Sequence, residues 1–173
     1  MMKYIPIFFI IFLIYIGIAN TVKSYKIPNE AIRIRVVANS NSKTDQRIKM
    51  KVKDIVEKDM YGLLKNAKEI NQARTIIRDN VSLVDKDVEK ILKENNYNLN
   101  YDVNYGMNYF PQKKYKGVIY NDGYYESLVV TLGGGKGDNW WCVLFPPLCL
   151  MEAEESSDVE YTTLVKKLFD KYS

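Results

Sequence analysis

Histidine is absent from this chain of 173 residues. That absence removes Ser-His-Asp and Cys-His nucleophile pairs. It also removes His-ligated zinc sites, including the HExxH helix. There are only two cysteines, too few to build a cysteine-rich zinc site. No stripe of arginines with interleaved aromatics appears, so nucleic acid is not an expected partner. No internal repeat is present. Much ordinary hydrolase chemistry is therefore excluded by composition.

There is one long apolar run, at the N-terminus. Lys3 supplies a positive start, no charge occurs from Tyr4 to Val22, and Ile5 to Ala19 is almost wholly apolar. Gly17 and Ala19 stand at the −3 and −1 positions that signal peptidase accepts. Residues 1–19 read as a secretory signal peptide cleaved after Ala19. The alternative is an uncleaved anchor, since a spanning helix needs roughly 20 apolar residues. Either reading puts the body of the protein outside the cytoplasm. Residues 20–30 read as a tether, 31–150 as a single domain, and 151–173 as an acidic linker with a short terminal helix.

Charge is uneven. Residues 31–96 carry 15 basic and 10 acidic side chains, whereas residues 138–173 carry 3 basic and 7 acidic ones. The simplest account is solvated helix faces followed by an acidic tail. Attraction to a partner or to an anionic membrane surface is the other account.

Ala31–Ala38 alternates apolar and basic residues, the pattern of a strand with one buried face. Asn39-Ser40-Asn41-Ser42 ends it with turn and cap chemistry. A helix is expected over about residues 44–65, with Ile48, Val52, Ile55, Val56, Met60 and Leu63 on its apolar face. A second helix is expected near 69–80 and a third from Ser82 to Asn95-Asn96, joined by a loop or only a kink. From Tyr97 the pattern changes to period two. Strands are expected near 98–105, 115–120 and 124–132, with a turn at Asn121-Asp122-Gly123. Strand, helices and a strand cluster give an α+β domain, its helices packed on one face of a mostly antiparallel sheet.

Gly133–Cys149 is the densest segment. It holds both tryptophans, both cysteines and four of the nine glycines. It is neither a periodic helix nor an ordinary linker. It is not a phosphate loop, because Lys136 is followed by Gly137 rather than Ser or Thr. The glycines read as a tight turn needing positive φ. In an extended chain Trp140 and Trp141 point to opposite faces, one buried and the other either covered by the acidic tail or left as a partner anchor; core packing is the simpler account of each taken singly. Cys142 and Cys149 flank Pro146-Pro147. They read as a small disulfide loop or as two buried thiols. Asp45, Glu126 and Asp138 are the carboxylates nearest loops. They read as a cap, a surface residue and a turn residue, and otherwise as an acid–base pair of a secreted wall-modifying enzyme.

Two motifs carry a resemblance. One is Ile34-Arg35-Val36-Val37-Ala38-Asn39-Ser40-Asn41-Ser42 with Asp45-Gln46 and Lys49-x-Lys51-Val52-Lys53-Asp54. The other is Gly133-x-Gly135-x-Gly137-x-Asn139-Trp140-Trp141-Cys142-Val143-Leu144-Phe145-Pro146-Pro147-Leu148-Cys149. Together they resemble the stage II sporulation protein R family of endospore-forming bacteria over about residues 31–150. The resemblance implies a protein exported from the forespore into the space facing the mother cell. There it would trigger a membrane-embedded aspartic protease that processes the sigma-E precursor. It implies a ligand and not an enzyme, with no cofactor, metal or small-molecule substrate. On that reading the expected contact residues are Asn39, Ser40, Asn41, Ser42, Trp140, Trp141, Phe145, Pro146 and Pro147. A structural protein of the intermembrane space is a further alternative.

Overall fold

The computed structural model describes residues 25–26, 30–115, 118–150 and 158–172. The expected signal peptide and most of the acidic linker lie outside these residues. Among the described residues no helix is long and apolar enough to cross a membrane.

Strand β2 (Ile32–Val37) leads through the Asn-Ser loop into helix α1 (Lys43–Leu64). Ser42 caps α1: its Oγ accepts from the Asp45 amide at 3.1 Å. Ile48, Val52, Val56, Met60 and Leu64 recur every fourth residue and are buried. Helix α2 (Ile70–Glu94) follows. Sequence pattern suggested two helices here, split near Ser82. The structure has one, because Ile77, Val84, Val88 and Leu92 form one buried stripe across that point. Asn80 stays helical by turning its amide back to the Ile76 carbonyl at 2.8 Å. Asn96 closes α2 in the left-handed region (φ 53°), and the Tyr97 amide reaches back to the Leu92 carbonyl at 2.9 Å.

The later strands are β3 (Tyr101–Phe110), β4 (Lys113–Tyr115), β5 (Val118–Tyr120), β6 (Gly123–Leu132) and β7 (Asn139–Phe145). β3 extends five residues beyond its expected end and stops before Pro111. The expected 115–120 strand is divided between β4 and β5. The Trp-Trp-Cys segment proves to be a strand, β7. A two-residue β1 (Tyr25–Lys26) pairs with β5 within the expected tether.

The main sheet has the order β3-β6-β2-β7, and the smaller one β1-β5-β4. β2 runs parallel to β6 and antiparallel to β7, while β3 and β6 are antiparallel. The fold is α+β with a mostly antiparallel sheet. α1 and α2 cover one face, where Ile32, Ile34, Val36, Leu128, Val130, Leu132 and Leu144 meet them. Arg74 of α2 ties that face to β6 through Glu126 (2.7 Å), whose other oxygen accepts from the Tyr105 hydroxyl (2.6 Å).

The opposite face is covered too. Val118, Tyr120, Val143 and Leu148 form a second cluster with Val165 and Phe169 of helix α3 (Asp158–Tyr172). β7 serves both layers: Trp140, Cys142 and Leu144 join the first cluster, Trp141 and Val143 the second. A strand buried on both sides shows no polar alternation, which is why its sequence pattern is unreadable.

Candidate functional site

The two segments singled out by sequence interlock. Asn39 stands at the end of β2, and the glycine loop 133–138 joins β6 to β7. β2 lies between β6 and β7, so the two loops emerge at the same end of the sheet.

The contacts are dense. Asn39 Oδ1 accepts from the Gly134 amide at 2.9 Å, and Asn41 Oδ1 from the Asp138 amide at 2.6 Å. The Lys136 amide donates to the Asn39 carbonyl (3.1 Å), and the Gly137 amide to the Ala38 carbonyl (2.9 Å). Four amides of the glycine loop are thereby taken up. A phosphate would need such amides free, so the structure supplies a second argument against a phosphate loop.

The glycines are required by closeness. A Cβ on Gly137 would sit 2.6 Å from the Ser40 carbonyl carbon and 2.9 Å from the Ala38 Cβ. Gly133 has φ 55°, and its Cβ would lie 2.7 Å from Asn39 Cγ. Two backbones approach here with no room for a side chain.

Helix α1 braces the junction. The Asp45 carboxylate accepts from Ser40 Oγ (2.5 Å) and Asn39 Nδ2 (3.0 Å). Gln46 Nε2 donates to the Ser40 carbonyl (3.0 Å). Lys49 is buried, and its ammonium donates to Gln46 Oε1 (2.5 Å) and the Asp138 carbonyl (3.2 Å). Burial pulls the Lys49 pKa down, with the Asp138 charge opposing. Gln46 and Lys49 belong to the first motif but are not readable as site residues. On a helical pattern they look like surface positions, yet both donate to the Asp138 carbonyl of the docked glycine loop.

The bonds from Ser40 and then Asn39 hold the Asp45 carboxyl below the usual aspartate value. A depressed folded-state pKa contributes stability that is present above the unfolded value of about 3.9 and is lost as pH falls through the folded value. Wild type is therefore expected to exceed Asp45→Asn in stability at neutral pH. The gap is expected to shrink below about pH 4. Urea midpoints of both proteins from pH 7 to pH 3 check this, and a gap that ignores pH would contradict it.

The expected contact residues divide. Asn41 and Ser42 are exposed, whereas Asn39 and Ser40 are half-buried and turned toward Asp45 and the glycine loop. Trp140 and Trp141 do point to opposite faces, but neither is fully buried. Trp140 lies beside α1 with the Lys53 ammonium 5.3 Å from its ring. Trp141 packs edge-on against Tyr120 (4.8 Å) and Phe110 (5.7 Å). Phe145 and Pro146 are buried, with Tyr172 of α3 against Phe145 at 5.1 Å. They are core residues here and offer a partner no surface. Pro147 is half-buried.

Cys142 and Cys149 are free thiols. Cys149 Sγ donates to the Val143 carbonyl at 2.9 Å. Burial of its sulfur, and the adjoining Cys142, push the Cys149 thiol well above the ordinary value.

One residue not singled out by sequence stands apart. Arg33 is fully buried, and among the described residues nothing accepts a hydrogen bond from its Nε, Nη1 or Nη2. Its guanidinium stacks on Tyr125 (3.4 Å), with Phe110 and Trp141 at 5.1 and 5.3 Å. Burial pulls its pKa down from the ordinary arginine value.

Glu126 does not converge with Asp138, and the Asp45 carboxylate is taken up by Ser40 and Asn39. Glu126 lies near the start of β6 and Asp138 beyond its end. Six residues of strand from Glu126 to Leu132 span about 20 Å. A glycosidase pair needs roughly 5–9.5 Å.

No solved structure matches this chain. The family model described as Stage II sporulation protein R matches residues 28–155, which include both interlocked loops and leave α3 outside. Stage II sporulation protein R of Bacillus subtilis (strain 168) is 36% identical over 134 residues, covering 78% of this chain. The alignment covers 60% of that relative, so this chain spans less than two thirds of its length. The family is named for a stage of sporulation and not for an enzymatic reaction. With both interlocked motifs inside the match, the chain belongs to the stage II sporulation protein R family.

Proposed function

We propose that this protein is an exported signalling ligand. It acts from the space between the forespore and mother-cell membranes. Its partner is the membrane-embedded aspartic protease that processes the sigma-E precursor, and it couples gene expression in the two compartments. The observation that carries this reading is the interlock of the Asn39–Ser42 and 133–138 loops into one braced surface. Asn41, Ser42, Asp138 and Asn139 are exposed on it, with Trp140 half-exposed alongside.

A surface held by this many internal bonds is ordered before binding, so little entropy is lost on contact. A half-exposed tryptophan beside it is a suitable anchor. To activate the protease, the ligand must bind its active form more tightly than its inactive form. An acid–base pair of Glu126 with Asp138 is disfavoured by their separation along β6.

The test is reconstitution in a host that lacks sporulation genes. The protease and the sigma-factor precursor are expressed with the full chain or with a version lacking residues 1–19. Precursor cleavage is expected only with the full chain. Cleavage by the version retained in the cytoplasm, or none with a folded and exported full chain, would contradict the proposal.

A further inference from the structure

β3 is an edge strand of the main sheet and runs ten residues, Tyr101–Phe110. Its inner edge pairs with β6 along its whole length without a register shift. Among the described residues nothing pairs with its outer edge. Such an edge presents unpaired N–H and C=O groups to any extended chain. Natural edges are commonly blunted by lysine, proline or a bulge. β3 has no lysine, arginine or proline and no bulge. The opposite edge differs: β7 has seven residues and a register irregularity with β2.

An apolar ledge adjoins the β3 edge. Met107, Tyr109 and Tyr124 are 64%, 49% and 70% exposed. Tyr109 and Tyr124 face each other across the strands with their rings edge-to-face at 5.6 Å. They continue the sheet face that α1 and α2 cover further along.

The strand is also electrically polar. Its Tyr101 end is acidic, with Asp102 exposed and Asp85 and Glu89 of α2 near the Tyr101 hydroxyl. Its Phe110 end is basic. The Arg35 guanidinium lies 5.0 Å from the Phe110 ring and donates to the Tyr109 carbonyl at 3.2 Å. Lys113 follows three residues on. Two such strands laid antiparallel set acid against base at both ends, whereas a parallel pair sets like against like.

We infer that β3 pairs antiparallel with the β3 of a second copy of this chain, about a two-fold axis near Gly106. In that register Tyr105 stands beside Met107 of the second copy, and Val103 beside its Tyr109. Asp102 stands beside Phe110 of the second copy, where its Arg35 sits. Apolar meets apolar on one face, and carboxylate meets guanidinium on the other. The interface is isologous, as a two-fold requires. Two four-stranded sheets become one continuous sheet, and both unpaired edges disappear.

The test uses the full chain in detergent micelles, with its mass measured by sedimentation equilibrium. A dimer is expected. Asp102→Lys places like charges together twice and is expected to weaken dimerisation by about tenfold or more. Met107→Lys, which charges the ledge, is expected to act in the same direction. Both positions are exposed, and circular dichroism checks that the variants fold. In a second arm, a photo-crosslinking amino acid replaces Met107. It is expected to join two copies through residues 103–109. A monomer at all concentrations, or a dimer indifferent to both lysines, would overturn the inference. So would a crosslink from position 107 to a different protein.

Discussion

Gly137→Ala is expected to cost roughly 3–4 kcal/mol of stability. The added methyl would lie 2.6 Å from the Ser40 carbonyl carbon and 2.9 Å from the Ala38 Cβ. Backbone closes the site, so no flexible side chain is available to swing aside. The loops must separate, and the Gly137–Ala38, Lys136–Asn39, Gly134–Asn39 and Asp138–Asn41 bonds are strained or lost together. Losing the equivalent of about two such bonds at about 1 kcal/mol net each, with about 1–2 kcal/mol of overpacking, gives this cost. Gly134→Ala is the control. Its nearest neighbours are side-chain atoms at 3.7 Å and its φ is not positive, so its cost is expected to stay below about 1 kcal/mol. Urea unfolding of the three proteins gives the comparison. Equal stability of Gly137→Ala and wild type would mean that the loops are not docked as described.

Arg33→Met is expected to stabilise the fold by about 1–3 kcal/mol. A buried guanidinium normally pairs with a carboxylate. Here three nitrogens find no acceptor in hydrogen-bond geometry among the described residues, and what favours the charge among those residues is the rings of Tyr125, Phe110 and Trp141 together with the Tyr125 and Tyr120 phenols. Cation–π contacts return about 2 kcal/mol when desolvated, less than the several kcal/mol that burying an ion costs. Methionine fills a similar volume, makes sulfur–aromatic contacts and leaves no donor unsatisfied. Arg33→Lys should move the other way by about 2 kcal/mol, because an ammonium is more strongly hydrated and cannot stack as a plane. Thermal unfolding of both variants decides. A loss of stability in Arg33→Met would show that stacking outweighs desolvation at this position.

The sequence made some of this architecture legible. The period of α1 was plain, as was the Asn95-Asn96 stop, because these are local signals. β2 was legible as a strand, but its alternation suggested that the arginines faced water. Arg33 is instead fully buried, because a second layer built from β5, β7 and α3 covers that face. Alternation along one strand carries no information about a layer contributed from elsewhere. The Trp-Trp-Cys strand was hidden for the related reason that both its faces are covered. The interlock was invisible locally. Asn39 and Gly134 are 95 residues apart. Each loop by itself looked like ordinary turn chemistry, and only the family resemblance marked both as special. Phe145 and Pro146 are expected contact residues that prove buried, since nothing in a short proline-rich run reveals that Tyr172 of α3 packs on Phe145.

The most direct test of the ligand account compares two variants in the reconstituted cleavage system. Trp140→Ala removes the anchor beside the interlocked loops. Glu126→Gln removes the carboxylate that an enzymatic account would require, and it lies at the far end of β6. With both proteins folded and exported, the account predicts that Trp140→Ala abolishes or severely reduces precursor cleavage while Glu126→Gln leaves it at the wild-type level. Full activity of Trp140→Ala, together with loss in Glu126→Gln, would contradict it.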